Sequence, residues 1–104
     1  MRRMVRADVI TLIADNPGAH GVFDSPETLE RTVYCTVRSV GMQEMYTAMS
    51  QGLRPQYVFD LQHDFEYQGE QRLRYHDVEY RVIRTYVNQS DGIEITVERS
   101  NADV

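Results

Sequence analysis

The strongest constraint in this sequence is an alternating pattern near its C-terminal end. Apolar residues occupy every second position from Ile93 to Val97, with polar residues between them, which is the period of a β-strand with one buried face. The preceding Asp91-Gly92 pair predicts a tight turn, because glycine and aspartate both tolerate a positive φ angle. Residues 75–99 therefore predict paired strands with almost no reactive chemistry. Such a chain is interpreted first as a scaffold or a binding module.

The bulk composition predicts one folded domain over residues 1–104. A chain of 104 residues buries roughly 60 to 70% of its unfolded surface, which is enough for one modest core. The hydrophobic fraction of 41% and charged fraction of 26% are those of globular proteins. No apolar run spans a bilayer, and the stretch between Asp8 and Asp15 is too short for a signal peptide. These features predict a cytoplasmic protein with no membrane contact.

The charge pattern argues against a protein that binds nucleic acid by neutralising phosphates. The net charge is −5, whereas such binding depends on clustered cations. All eleven basic residues other than histidine are arginine, whose planar guanidinium suits paired contacts with carboxylates, including contacts across subunit interfaces. Arg2, Arg3 and Arg6 form the only basic cluster. It is either a solvated tail or an arm that reaches acidic groups on a partner or nucleic-acid phosphate.

The N-terminal half predicts two strands separated by a long loop. Residues 8–14 form the first strand, because they are rich in β-branched side chains. Residues 31–40 form the second, with Val33, Cys35 and Val37 on its core-facing side. The loop between them, residues 15–30, is interrupted by prolines and is longer than most connections in compact domains, which favours a functional role. Its candidate partner-facing or channel-facing residues are His20, Val22, Phe23 and Asp24.

A short helix follows the second strand. Met42, Met45, Tyr46 and Met49 fall at i, i+3, i+4 and i+7, which places them on one helical face. At this spacing the methionine face is expected to pack mainly on the core, with part of it left for a neighbouring subunit.

The rest of the chain predicts four more strands. One begins at Pro55, a short one covers residues 71–75, and residues 78–87 and 93–97 form the last two. In the strand over residues 78–87, Tyr80, Val82 and Tyr86 alternate with Ile83 and Val87, so that both faces are apolar. Six strands and one short α-helix indicate a mainly β fold, a small antiparallel barrel or sandwich.

No motif predicts catalysis, a cofactor or a metal. The three histidines, His20, His63 and His76, have no ligand spacing. His76-Asp77 is explained as turn chemistry. No nucleophile elbow or glycine-rich phosphate loop is present. The single cysteine, Cys35, excludes an internal disulfide and is expected in the core.

The order of these elements resembles the head-tail adaptor family of tailed bacteriophages, also called head-tail joining, head-completion or head-closure (stopper) proteins. The resemblance spans nearly the whole chain and consists of scaffold signatures. They include Glu44, Tyr46, Gly52-Leu53 and Pro55, together with residues 7–13 (ADVITLI), 21–24 (GVFD), 31–41 (RTVYCTVRSVG), 67–70 (YQGE), 80–86 (YRVIRTY) and 93–97 (IEITV).

This resemblance implies a non-enzymatic structural protein that works as a homo-oligomeric ring. Such a ring lies between the portal of the DNA-filled head and the tail proteins, and it closes or extends the channel without binding packaged DNA sequence-specifically. The protein would then assemble in the host cytoplasm and remain in the virion neck, or belong to a prophage remnant. Met45, Met49, Ile83 and Val87 are the candidate subunit-interface residues. The alternative is a small β-barrel protein-binding module unrelated to phage assembly, which recruits a peptide through a strand edge.

Overall fold

A computed structural model of the chain describes residues 8–15 and 28–100. They form six strands, one α-helix and a single turn of 3₁₀ helix. In chain order these are β1 (Asp8–Asp15), β2 (Thr28–Arg38), α1 (Met42–Met49), β3 (Pro55–Leu61), the 3₁₀ turn (Asp64–Glu66), β4 (Arg72–Tyr75), β5 (Val78–Val87) and β6 (Ile93–Arg99). No helix among the described residues has the length and apolar character needed to cross a membrane.

The six strands form one antiparallel sheet that closes on itself in the order β1-β2-β3-β6-β5-β4. Closure comes from pairing of β4 with β1, where Leu73 lies opposite Leu12. Closing the sheet pairs strand edges that would otherwise be open to other chains. The predicted mainly β fold with one short α-helix is confirmed, and the closed sheet corresponds to the barrel form of that prediction.

The core fills the inside of this barrel with alternate side chains from every strand. Its fully buried members include Ile10, Leu12, Cys35, Phe59, Leu61, Leu73, Ile95 and Val97. The predicted core positions of Cys35 and of the β6 apolar series are confirmed. Fully burying one side chain of this size contributes about 1.5 to 3 kcal/mol relative to leaving it exposed.

Both faces are buried on β6 and β3, whereas on β5, whose apolar residues occupy both faces, only Tyr80 is buried. The outward-facing Thr96 and Glu98 of β6 are only 4% and 7% exposed. On β3, Val58 is 1% exposed and lies opposite Thr96. These positions lie under α1 and the chain that follows it, since Glu44 of the helix bonds to Thr96 and Arg54 donates its backbone N–H to Glu98.

The two hairpin turns show two different uses of turn residues. His76 and Asp77 both have positive φ angles, 51° and 65°, so they form the tight two-residue turn whose twist matches the strands. In the β5–β6 turn the positive φ belongs to Asp91, at 67°. Gly92 is required for a different reason from the predicted one, because a Cβ atom there would lie 2.7 Å from the carbonyl oxygen of Leu61.

One end of the barrel is closed by an aromatic cluster. Tyr57 lies 5.7 Å from Tyr75 and 5.7 Å from Tyr80, measured between ring centroids, in edge-to-face contacts, and Phe59 lies 5.2 Å from Tyr75. Burial raises the pKa of Tyr75 and of Tyr80 above the usual value. These hydroxyls therefore stay neutral at physiological pH.

An ion pair bridges β2 and the segment that follows the 3₁₀ turn. Arg31 donates from Nε and Nη2 to Glu70 Oε2 at 2.9 and 2.6 Å, and Nη2 also donates to the carbonyl oxygen of Glu66 at 2.8 Å. Glu70 is 4% exposed, and its second oxygen accepts the backbone N–H of Gln68. The segment after the 3₁₀ turn is thus held against the start of β2.

The predicted loop between the first two strands is shorter than expected. Thr28, Leu29 and Glu30 belong to β2, where they pair with Asp15, Ala14 and Ile13. At the other end, β2 stops at Arg38, before the predicted boundary at residue 40. The remaining connection, residues 16–27, lies outside the described residues.

Candidate functional site

Helix α1 presents an apolar face to solvent. Met42, Tyr46 and Met49 are 71%, 66% and 52% exposed, and no residue of the helix is buried. The prediction that this face packs mainly on the core is therefore wrong. We call these three side chains the α1 face. Adjacent apolar side chains on a surface of this kind mark sites of protein contact more often than isolated ones do.

A polar contact sets the orientation of the helix. Glu44 is on the side opposite Met42, and its Oε2 accepts hydrogen bonds from Arg84 Nη1 at 2.9 Å and Thr96 Oγ1 at 3.1 Å. Ala48, one turn later on the same side, is half-buried and lets the helix approach the sheet. Because Glu44 and Ala48 face the barrel, the methionine side must face outward.

A groove runs between α1 and the outer side of β5 and β6. Its volume is about 720 Å³, within the range of sites that bind small molecules or the side chains of a partner. Both apolar and polar groups line it. The lining residues are Gly41, Met42, Gln43, Glu44, Thr47, Ala48, Gln51, Leu53, Ile83, Arg84 and Thr96.

A β-bulge in β5 directs two successive residues toward this groove. Val82 lies opposite Val97 and Arg84 lies opposite Thr96, so Ile83 is the extra residue between them. The bulge reverses the alternation beyond it. Tyr86 therefore shares the outer face with Arg84, and the prediction that grouped Tyr86 with Tyr80 and Val82 is wrong.

The four candidate interface residues occupy two different places. Met45, half-buried, and Met49, exposed, lie on α1, and Ile83 lines the groove beside them. Val87 is 49% exposed at the end of β5, away from the helix. The structure therefore brings three of the four candidates near α1 and leaves the fourth on the strand.

The second half of β5 has an open edge. β4 pairs with β5 only from Arg72 opposite Arg81 to Tyr75 opposite Val78, with one further bond from Val82 N–H to the carbonyl of Gln71. Residues 84–87 pair with β6. On their other side, no backbone partner occurs within residues 8–15 and 28–100. We call residues 83–87 the open β5 edge.

The arginines of the described segments are mostly paired within the chain. Six of the eight form ion pairs with carboxylates, and only Arg54 and Arg99 do not. The pairs are Arg31–Glu70, Arg38 with Asp60 and Glu94, Arg72 with Asp15 and Glu79, Arg74–Glu30, Arg81–Glu98 and Arg84–Glu44. The arginine content, which favoured contacts across subunits, is thus used largely within one subunit.

The other predicted residues are accounted for separately. Arg2, Arg3, Arg6, His20, Val22, Phe23 and Asp24 lie outside the described residues, and their roles stay predictions. His63 stacks on Phe65, with 4.9 Å between ring centroids. Within the described part of the chain, no three His, Cys, Asp or Glu side chains form a group that could hold a metal.

Sequence reasoning missed Met42 and Tyr46 as exposed candidates and Glu44 as their positioning residue. The sequence signal for the orientation of the helix was on its opposite side, where Glu44 and Ala48 lie four residues apart. A small residue beside a carboxylate is compatible with close approach to a strand that supplies hydrogen-bond donors.

Neither a scan against protein-family models nor a search of curated proteins found a match to this chain.

Proposed function

We propose that this protein is a structural connector of a tailed-bacteriophage neck. Copies of it form a homo-oligomeric ring that joins the portal of the DNA-filled head to the tail and closes or extends the DNA channel. The sequence resemblance to head-tail joining proteins supports this function. The structural observation that carries it is the exposed α1 face of Met42, Tyr46 and Met49 beside a groove, because such a surface suits contact with another protein.

The distribution of charge also supports the proposal. The chain carries −5 overall, and six of the eight described arginines are paired with its own carboxylates. A channel wall of this kind repels DNA or holds it weakly, so that the duplex slides through without sequence-specific contact. The proposed role is mechanical and requires no catalytic step.

Native mass spectrometry tests ring formation directly. Alone, the protein is expected to be a monomer or a weak oligomer. Mixed with portal rings assembled from the portal protein of the same genome, it is expected to bind with one defined stoichiometry. Absence of any bound stoichiometry would contradict the proposal. A gene position away from portal, capsid and tail genes would also count against it.

A variant of the α1 face tests which surface makes the contact. Replacing Met42, Tyr46 and Met49 with glutamine is expected to change the free energy of unfolding by no more than about 0.5 kcal/mol per site, because exposed side chains contribute little to stability. Ring formation on the portal should be lost. Tyr34→Gln is the matched control, since Tyr34 is 67% exposed but lies on β2, and this variant should still assemble.

The alternative function is a stand-alone protein-binding module. The open β5 edge favours it, because an extended peptide can add to an unpaired strand through backbone hydrogen bonds. Such a module would bind its peptide without a portal and would show no ring stoichiometry.

A further inference from the structure

The open β5 edge has defined hydrogen-bonding groups. Asn88 donates its backbone N–H to the carbonyl of Gly92 at 2.9 Å, so residue 88 bonds toward β6. Because bonding direction alternates along an antiparallel strand, Tyr86 and Arg84 also bond toward β6. The N–H and C=O groups of Thr85 and Val87 are therefore directed away from it.

The residues at this edge are accessible. Thr85 is exposed, and Tyr86 and Val87 are 51% and 49% exposed. Unpaired strand edges are sites where another chain can add a strand, and folded proteins usually cover or disrupt them. Here no described residue covers the four backbone groups of Thr85 and Val87, which are spaced to accept one short strand.

The charge of the chain identifies a suitable occupant. Residues 1–7 contain Arg2, Arg3 and Arg6 and no carboxylate. The whole chain carries −5, so without these three arginines the remaining residues carry −8. Residues 1–7 are thus the one strongly basic segment of an acidic protein, and opposite charge favours their contact with another copy.

Carboxylates near the open β5 edge match this charge. Asp91 lies in the turn that continues β5, and its carbonyl accepts the N–H of Asp64 at 2.8 Å. Both side chains are exposed, and neither has an arginine partner among the described residues. A basic strand beside residues 85–87 would run toward the turn that carries Asp91, and Asp64 bonds to that turn from the β3 side.

The position of β1 favours contact between two copies over contact within one. Residues 1–7 join the barrel at Asp8, which lies near Tyr75 at one end of β4. The open β5 edge begins beyond Gln71, past the other end of β4. One copy thus has a basic segment that joins one end of its barrel and an open edge toward the other end. A contact between the segment of one copy and the edge of the next is head-to-tail. Such contacts form a ring when the rotation between successive copies closes.

We propose that residues 1–7 of one copy add as a β-strand to the open β5 edge of the next copy, where their positive charge is attracted to the acidic turn at Asp91. This inference deepens the proposed ring function and rests on it. It identifies the partner of the edge as a second copy of this chain, and it adds the backbone of Thr85 and Val87 to the α1 face as a second contact of the ring.

Titration of a synthetic peptide of residues 1–7 into the isotope-labelled full-length protein tests the contact without a portal. The amide signals of Thr85 and Val87 should shift and become protected from hydrogen exchange. A peptide with its three arginines replaced by glutamate should bind at least about tenfold more weakly, equivalent to about 1.4 kcal/mol. Thr85→Pro in the protein should weaken binding of the original peptide by a similar factor, because proline removes an outward N–H.

The outcomes separate this proposal from the ring function. No shift at Thr85 and Val87 up to millimolar peptide, or equal binding of the glutamate peptide, would overturn the proposal. Unchanged ring formation on the portal by the full-length R2E/R3E/R6E variant would also overturn the proposal. In that case the ring function would stand, and the edge would belong to another partner. Failure of the wild-type protein to form rings while the peptide binds at residues 85–87 would instead overturn the ring function.

Discussion

Strands β2 and β5 each extend beyond one of their neighbours, and the two extensions have different surroundings. Residues 28–35 of β2 pair with β1, while pairing with β3 is limited to residues 36–38. Residues 84–87 of β5 pair with β6, and residues 83–87 lack a partner on the β4 side among the described residues. Along the first extension, the side chain of Arg31 bonds to Glu70 and to the carbonyl of Glu66 and holds the following segment beside β2. The second is left open.

The difference separates a region that stabilises the fold from one suited to association. An ion pair with a 4% exposed carboxylate is specific in geometry and destabilising when only one partner is removed. The open edge contributes little to the folded monomer and gains its hydrogen bonds only when another chain is added. Substitutions at β2 should therefore change stability, and substitutions at the outward groups of β5 should change binding.

The largest effect is expected for Glu70→Ala. The substitution removes the carboxylate that accepts from Arg31 and from the N–H of Gln68, and it leaves Arg31 only the carbonyl of Glu66. We expect a loss of about 2 to 4 kcal/mol in the free energy of unfolding, since breaking a fully buried pair costs about 3 to 5 kcal/mol and Arg31 is 35% exposed. Urea denaturation measures this loss. The control is Glu30→Ala, which breaks the exposed Arg74–Glu30 pair and should cost less than about 1 kcal/mol. Equal losses of unfolding free energy in the two variants would show that the Arg31–Glu70 pair contributes no more to stability than an exposed pair.

A smaller effect should distinguish the two sides of β5. Tyr86→Pro removes an N–H directed at β6 and leaves an unpaired carbonyl in the ladder, whereas Thr85→Pro removes an outward N–H. The first variant should be less stable than the second by about 1 to 2 kcal/mol. Thermal or urea unfolding of both variants gives the comparison. A larger loss for Thr85→Pro would mean that the edge is paired in the folded monomer.

The smallest effect concerns how the stability of the protein depends on pH through Tyr67. Burial, and then the charge of Glu70, raises the pKa of Tyr67 above its usual value of 10.0. Because the pKa is raised, the folded protein favours the neutral form of Tyr67. The stability that depends on this neutral form is complete below pH 10 and is lost as the pH rises through the folded-state pKa. Unfolding measured from pH 8 to above pH 10 should show this decline. Tyr67→Phe should reduce it, and an undiminished decline in that variant would exclude Tyr67 as its source.

The barrel was largely predictable because its signals are local. Alternation of apolar residues predicted the inward positions of β6 and Cys35 in β2, and His76-Asp77 predicted a turn. Each of these depends on neighbours within a few residues. The bulge at Ile83 could not be predicted in this way, because it arises from the match between β5 and β6.

The candidate site was less predictable for a related reason. The spacing of Met42, Tyr46 and Met49 showed that they share a face, but spacing does not say which side of a helix meets the barrel. Hydrogen bonds from Arg84 and Thr96 to Glu44 decided that orientation. These residues are 40 and 52 positions from Glu44 along the chain.

The sequence by itself determined the six strands, the helix, most of the core and the concentration of basic charge in residues 1–7, because periodicity and composition are properties of the chain. Only the tertiary structure decided which faces and edges stay exposed. Closure of the barrel through the short strand β4 left the second half of β5 without a partner on the β4 side within the described part of the chain, and the Glu44 contacts turned the methionines outward. Both results depend on distant residues meeting in space, which no local pattern records.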